Sequence, residues 1–278
     1  MTTLSATGAP ARLTKPTGSI VPNVLASEWT KIRSVRSTYW TLLAAAVLTI
    51  GLSAVICAVV AAQYAGMTAV EKASIDPTSL STSGGVLAQL AIAVLGVLVI
   101  TSEYASGMIR TTLSAVPQRL AVLLAKAVVF LVVTLAVVTP SAFIAFFLGQ
   151  AILSTKHIGV GIGAPDALRM VVGTALYLAV LGLLALGIGA LLRRTAGAIT
   201  AIVGILFVLP ALGSLLPSSL DKIEKFLPIN AGRAILTGTS DLRGASASLS
   251  PWVGLGVFFL WAVVVLGAAG YTLVRRDA

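Results

Sequence analysis

The chain has 278 residues, of which 58% are hydrophobic and only 10% charged, with a mean hydropathy of +1.03. A soluble domain carries roughly a quarter charged residues, so this composition excludes a soluble globular fold and points to an integral membrane protein. The net charge of +10 would suggest nucleic acid as a partner of a soluble protein; here the basic residues follow membrane topology instead, and no nucleic acid is implied.

Residues 1–22 are rich in Thr, Ala, Pro and Ser, lack apolar periodicity and read as a disordered tail. No short apolar core with a cleavage site follows Arg12 and Lys15, so the tail is not a signal peptide. Segment 24–36, with Asn23 as its candidate cap, reads as a basic amphipathic helix. Leu25, Trp29, Ile32 and Val35 cluster on one face at helical spacing, and Ser27, Thr30 and Ser34 take the other. Glu28, Trp29, Lys31, Arg33 and Arg36 are its candidate interfacial residues. A basic helix with a Trp suits the lipid headgroup layer, where the Arg36 stem can snorkel.

Six apolar stretches follow, at about 39–62, 84–101, 120–148, 168–192, 198–216 and 252–274. The first is long enough for a ~30 Å hydrocarbon core. The predicted fold is therefore an all-α, polytopic membrane protein: a single transmembrane domain over 23–278 behind the tail. Cys57, the one cysteine, lies inside the first stretch and reads as a small packing residue. Residues 63–83 read as a polar loop. Pro140 is expected to kink the third span, and Gly173, Gly182, Gly187 and Gly189 let the fourth approach its neighbours closely. Residues 193–197 form a tight turn. In the long loop 217–251, Leu220, Ile223, Phe226 and Leu227 recur at helical spacing. A short helix ended by Pro228 is expected there, with 230–232 turning the chain into another.

Six spans put both termini on one side. That side holds twelve basic and three acidic residues, net +9, and the other seven basic and six acidic, net +1. The positive-inside bias places the termini, and the polar interval 101–119, in the cytoplasm. That interval reads TSEYASGMIRTTLSAVPQR. Glu103, Tyr104, Gly107, Arg110 and Thr111 share one helical stripe, and Ser114 followed by Pro117 marks a turn into the third span.

Several chemistries find no residues to carry them. The six segments contain no Asp or Glu, and Lys126 and Arg169 stand only near segment ends; proton coupling needs titratable groups along the path. The single histidine, His157, sits in a loop without a second His or a Cys–Asp cluster, so no metal site and no nucleophile–base pair is expected. Gly159, Gly161 and Gly163 lack the Lys and Ser/Thr of a phosphate-binding loop and read as a flexible loop. A channel would need rings of polar pore residues. A chain that transports without a power source of its own needs a partner that pushes on a cytoplasmic element, and 101–119 is the candidate.

Three stretches resemble permeases of ABC transporters of the ABC-2 type, the exporter class with six spans per subunit. SEWTKIRSVRSTYWTLL (27–43) resembles the amphipathic helix that runs into the first span. SEYASGMIRTTLSAVPQR (102–119) resembles the Glu-x-x-x-Gly-x-x-Arg-x-x-Leu coupling region followed by Pro-x-Arg. FLPINAGRAI (226–235) resembles the segment before the last span. Where family members often have Gly-Thr, this chain has Gly107-Met108. The resemblance implies a pair of permease subunits, as homodimer or heterodimer, above two ATP-binding cassette subunits. It implies that ATP and Mg are used by the partner and that this chain is not itself an enzyme. It implies that Glu103, Tyr104, Gly107, Arg110 and Arg119 couple the spans to the ATPase through a short cytoplasmic helix between spans two and three. It further implies a multi-pass protein of the plasma membrane with both termini cytoplasmic. The few polar groups in the spans, among them Gln89, Thr134, Ser141, Thr174, Tyr177 and Thr200, suit an amphiphilic or hydrophobic cargo. The alternative reading is a polytopic membrane anchor or self-immunity protein that transports nothing.

Overall fold

A computed structural model describes residues 20–116, 118–213, 224–238 and 249–275. Every regular element among them is helical. In chain order these are α1 (Ile20–Ser34), α2 (Arg36–Gln63), α3 (Ala69–Ala73), α4 (Pro77–Thr82), α5 (Gly85–Ala105) and α6 (Met108–Ala115). Then come α7 (Arg119–Ser154), α8 (Ala167–Leu192), α9 (Thr195–Gly213), α10 (Pro228–Arg233) and α11 (Pro251–Arg275). Six of these, α2, α5, α7, α8, α9 and α11, are long and apolar enough to cross a membrane. The shortest, α9, has 19 residues, within the range of about 17–25 that spans a hydrocarbon core.

The bundle is built around α8, whose residues from Met170 to Ala190 are nearly all buried. Helices α5, α7 and α11 pack on it. Close approach depends on missing side chains. A methyl group at Gly96 of α5 would stand 2.4 Å from the Gly182 carbonyl oxygen of α8, and one at Gly182 would stand 2.5 Å from the Phe130 ring of α7. The two backbones therefore touch at these glycines, and Phe130 fills the third side. In lipid, where tails solvate Leu as well as protein does, such contact is what holds helices together. The outer faces remain apolar and exposed: Leu124, Val132 and Phe147 on α7, and Phe259, Leu260 and Val264 on α11. Hydrocarbon would cover such a belt.

Several boundaries differ from the sequence expectation. Helix α1 starts at Ile20, so Asn23 lies inside it rather than capping it, and Pro22 occupies its first turn, where a missing N–H is harmless. Of the expected tail, 1–19 lie outside the described residues. Helix α1 also ends at Ser34, because Val35 is extended (φ −89°, ψ 110°), and Arg36 opens α2. The loop expected at 63–83 contains α3 and α4. Asp76 starts α4 by accepting from the Thr78 N–H at 2.9 Å, with Pro77 in the first position. Helix α4 then packs against α7, where the Gln150 amide donates to the Pro77 carbonyl and to Ser81 Oγ, both at 2.9 Å. The same Gln150 accepts from the Val160 N–H at 2.7 Å, which pins the loop that carries Gly159 and Gly161.

Pro140 lies within α7 without ending it. The response to Pro210 is clearer. Residues Gly204–Val208 form one wide turn in α9, with the Leu209 N–H reaching back to the Gly204 carbonyl. A regular helix would press the Pro210 ring against the Leu206 carbonyl, and the wide turn relieves that clash. Pro228 opens α10 rather than closing a helix, and Asn230, Ala231 and Gly232 lie within α10 rather than turning the chain. Leu220 and Ile223 lie outside the described residues.

Candidate functional site

The interval 101–119 divides at Gly107. Helix α5 continues to Ala105, Gly107 takes φ +74°, and α6 starts at Met108. Only glycine adopts that backbone without strain. The expected single stripe from Glu103 to Arg110 is therefore broken. Glu103 belongs to α5 and is buried, whereas Arg110 belongs to α6 and is exposed. The expectation that the spans hold no acid is corrected by the same fact, and Lys126, expected near a span end, is buried inside α7.

Glu103 and Lys126 meet two residues of α1. Lys126 Nζ lies 2.5 Å from Glu28 Oε2 and 2.7 Å from Glu103 Oε1. Lys31 Nζ lies 2.6 Å from Glu28 Oε1 and 3.2 Å from Glu103 Oε1, and donates to Thr112 Oγ1 of α6 at 3.3 Å. Two carboxylates and two ammonium groups thus form a neutral ring that ties α1, α5, α6 and α7 together. Glu28, Glu103 and Lys126 are nearly inaccessible, and the Lys31 side chain is 24% exposed. A charge at such depth is tolerable only when paired. Burial pushes the Lys31 ammonium pKa down. Its hydrogen bond to Glu28, with the negative charges of Glu103 and Glu28, outweighs that and holds the pKa above its ordinary value.

This ring sets the rotation of α1. Val24, Glu28 and Ile32 face inward, and Trp29 and Val35 are 43% and 47% exposed. Of the apolar stripe, Ile32 is thus turned to the bundle, and Glu28 takes the inward place one turn before it. Arg33 and Arg36 point outward, and the Arg33 carbonyl accepts from the Tyr39 hydroxyl at 2.9 Å. Apolar contacts complete the seat: Leu113 and Val116 of the α6 region pack with Val24, Leu25, Val122 and Ala125. Arg110 and Thr111 are left on the open face of α6.

Arg119 and Tyr104 serve the end of α11. The Arg119 guanidinium donates to the Leu273 carbonyl at 2.8 Å, and Arg193 reaches the Thr272 carbonyl at 3.5 Å while lying 5.4 Å from the Tyr104 ring centre. Cations at a helix C-terminus satisfy free carbonyls and complement its negative end. The structure thus brings Glu28, Lys31 and Glu103 together, places Arg119 and Tyr104 nearby, and leaves Trp29, Arg33, Arg36 and Arg110 outside the ring.

At the opposite end a cavity of about 180 Å³ has Gln89, Thr174, Tyr177 and Arg233 among its lining residues. The Tyr177 hydroxyl donates to Gln89 Oε1 at 2.8 Å. Arg169 donates to the Ile235 and Thr237 carbonyls at 2.9 and 2.8 Å, which holds the segment after α10 against α8. Among the described residues no three His, Cys, Asp or Glu side chains gather as metal ligands would, and His157 is exposed in its loop.

Sequence reasoning missed Lys126 as a member of the site. A signal was present: a lysine inside an apolar run needs a carboxylate, and that side of the chain offers only Glu28, Glu103 and Asp277. Compared with known proteins, the chain matches no family model and no curated protein.

Proposed function

We propose that the chain is the transmembrane permease subunit of an ATP-driven exporter of the ABC-2 type. The observation that carries this reading is α6. It is a short amphipathic helix, joined to two spanning helices through Gly107 and residues 116–118, with its apolar side seated on α1 and α7 and Arg110 exposed. Conformational work passes between proteins only through an element that both touch. Helix α6 has that position, and its Thr112 bonds to Lys31 of a ring that includes both flanking spans.

In this reading the α1 and α6 end is cytoplasmic, in the plasma membrane, and an ATP-binding cassette subunit docks on α6 and binds ATP and Mg. A second permease subunit completes the path, and the cargo is amphiphilic or hydrophobic. Affinity purification of the tagged chain from its native membrane tests the reading. An ATP-hydrolysing subunit should co-purify in stoichiometric amount and its activity should respond to the permease. A chain that purifies without any such subunit under mild detergent would overturn it.

A further inference from the structure

One oxygen of the ion ring is unused. Glu103 Oε2 is buried and has no hydrogen-bond partner, although each of the other three carboxylate oxygens meets an ammonium. An unpaired buried carboxylate oxygen is costly, so a donor is expected beside it. Glu103 lines a cavity of about 120 Å³ together with Lys31, Ser37, Leu98, Val99 and Ser102. Exposed Val35, Ser37, Ser102 and Met108 form its mouth, which opens between the α1–α2 hinge and α5.

Two further features describe what fits. Helix α2 begins at this mouth with no side-chain cap, and although the Thr38 N–H donates to the Val35 carbonyl at 3.1 Å, the N–H groups of Arg36 and Ser37 at its positive end favour an anion. Tyr39 and Trp40 on that first turn are 54% and 70% exposed, and such rings gather at the headgroup level of a membrane. The cavity therefore presents an acceptor in its depth, an anion-favouring helix end at its mouth, and apolar Leu98 and Val99 along its wall.

We propose that this cavity binds the headgroup of a phospholipid whose amine keeps N–H donors, a phosphatidylethanolamine. Its ammonium donates to Glu103 Oε2, its phosphate meets the uncapped start of α2, and its acyl chains leave over Leu98 and Val99. The ring is neutral, so a zwitterion adds no net charge, whereas a simple cation would bury one more. A choline headgroup has the same phosphate but no N–H, and leaves Oε2 unpaired. None of this depends on the chain being a permease.

The test is native mass spectrometry of the full chain, titrated with dioleoyl-phosphatidylethanolamine, its N-methyl and N,N-dimethyl derivatives, and dioleoyl-phosphatidylcholine. The first three should bind about tenfold more tightly than the last, the worth of one charge-assisted hydrogen bond. Leu98→Trp fills the cavity from its apolar wall without touching the ring and should remove the preference. Glu103→Gln should do the same, and where that variant unfolds Leu98→Trp still decides. Dodecylamine separates a lipid headgroup from a free amphiphilic amine. Failure to displace the phospholipid at equal concentration supports the proposal, and full displacement overturns it. Equal affinity for the ethanolamine and choline lipids, or a preference unchanged in Leu98→Trp, also overturns it.

Discussion

Lys126, inside a spanning helix, and Glu28, on the N-terminal helix, form a fully buried ion pair at 2.5 Å across 98 residues of sequence. The contact makes α1 part of the transmembrane bundle rather than an appendage to it. Without Lys126, two carboxylates would share one partly exposed Lys31.

Replacing Lys126 by Met should therefore destabilise the protein by about 3–5 kcal/mol, the cost of leaving a buried partner uncompensated. The triple replacement Lys126→Met, Glu28→Gln, Lys31→Met removes two positive charges and one negative one, so Glu103 stays uncompensated and recovery should be small. Adding Glu103→Gln makes the site uncharged and should restore most of the stability. Thermal unfolding in detergent checks both steps. A Lys126→Met variant as stable as wild type would mean that the ring contributes nothing.

Lys31 supplies a pH dependence of known sign. Its folded pKa is raised above the ordinary lysine value, by Glu28 and Glu103 acting against burial. Its contribution is therefore complete below the unfolded pKa of ~10.4 and is lost as pH rises through the folded value. The stability difference between wild type and Lys31→Met should stay constant from about pH 6 to 9 and shrink only above about pH 10.5. A difference that declines between pH 7 and 9 would contradict the pairing.

The six spans were legible because each is an apolar run, and hydropathy needs no tertiary information. Their ends were less so. Helix α5 runs on to Ala105 through Glu103, since a charged residue ends a hydropathy window but does not end a helix when Lys126 waits beside it. The burial of Glu28 was hidden for the same reason. Periodicity places it only among the interfacial residues of α1, and it is buried because of a residue on α7. Helix α4 was hidden in a Ser/Thr-rich stretch whose helicity comes from the Asp76 cap and from Gln150 across the bundle. Pairing between helices is a property of the assembled fold, and no single-helix pattern carries it.

Orientation has its own test. The end that carries α1 and α6 belongs to the side with net charge +9 against +1, which favours the cytoplasm. Cysteines introduced at Ser74, which is exposed, and at Ser246 should react with an impermeant thiol reagent applied outside intact cells. A cysteine at exposed Ser114 on α6 should react only after permeabilisation. Labelling in the opposite sense would invert the topology and remove α6 from the reach of any cytoplasmic ATPase.

The two charges of the 101–119 interval now separate into different experiments. Glu103→Lys would place three ammonium groups around Glu28 in a buried site, so it should fail by misfolding, with little protein in the membrane. Arg110 lies on the open face of α6, where a substitution disturbs the fold by only about 0.5 kcal/mol or less. Arg110→Glu should therefore reach the membrane at normal levels and keep the wild-type unfolding temperature. If α6 is the docking element, the variant loses a charge contact that is desolvated on docking, typically worth ~2–5 kcal/mol. ATPase recruitment should then fall by tenfold or more, at about 1.4 kcal/mol per decade. Recruitment and transport at wild-type levels in a well-folded Arg110→Glu protein would remove α6 from the coupling path. The exposed Arg33 and Arg36 at the α1–α2 hinge would then be the next charges to reverse.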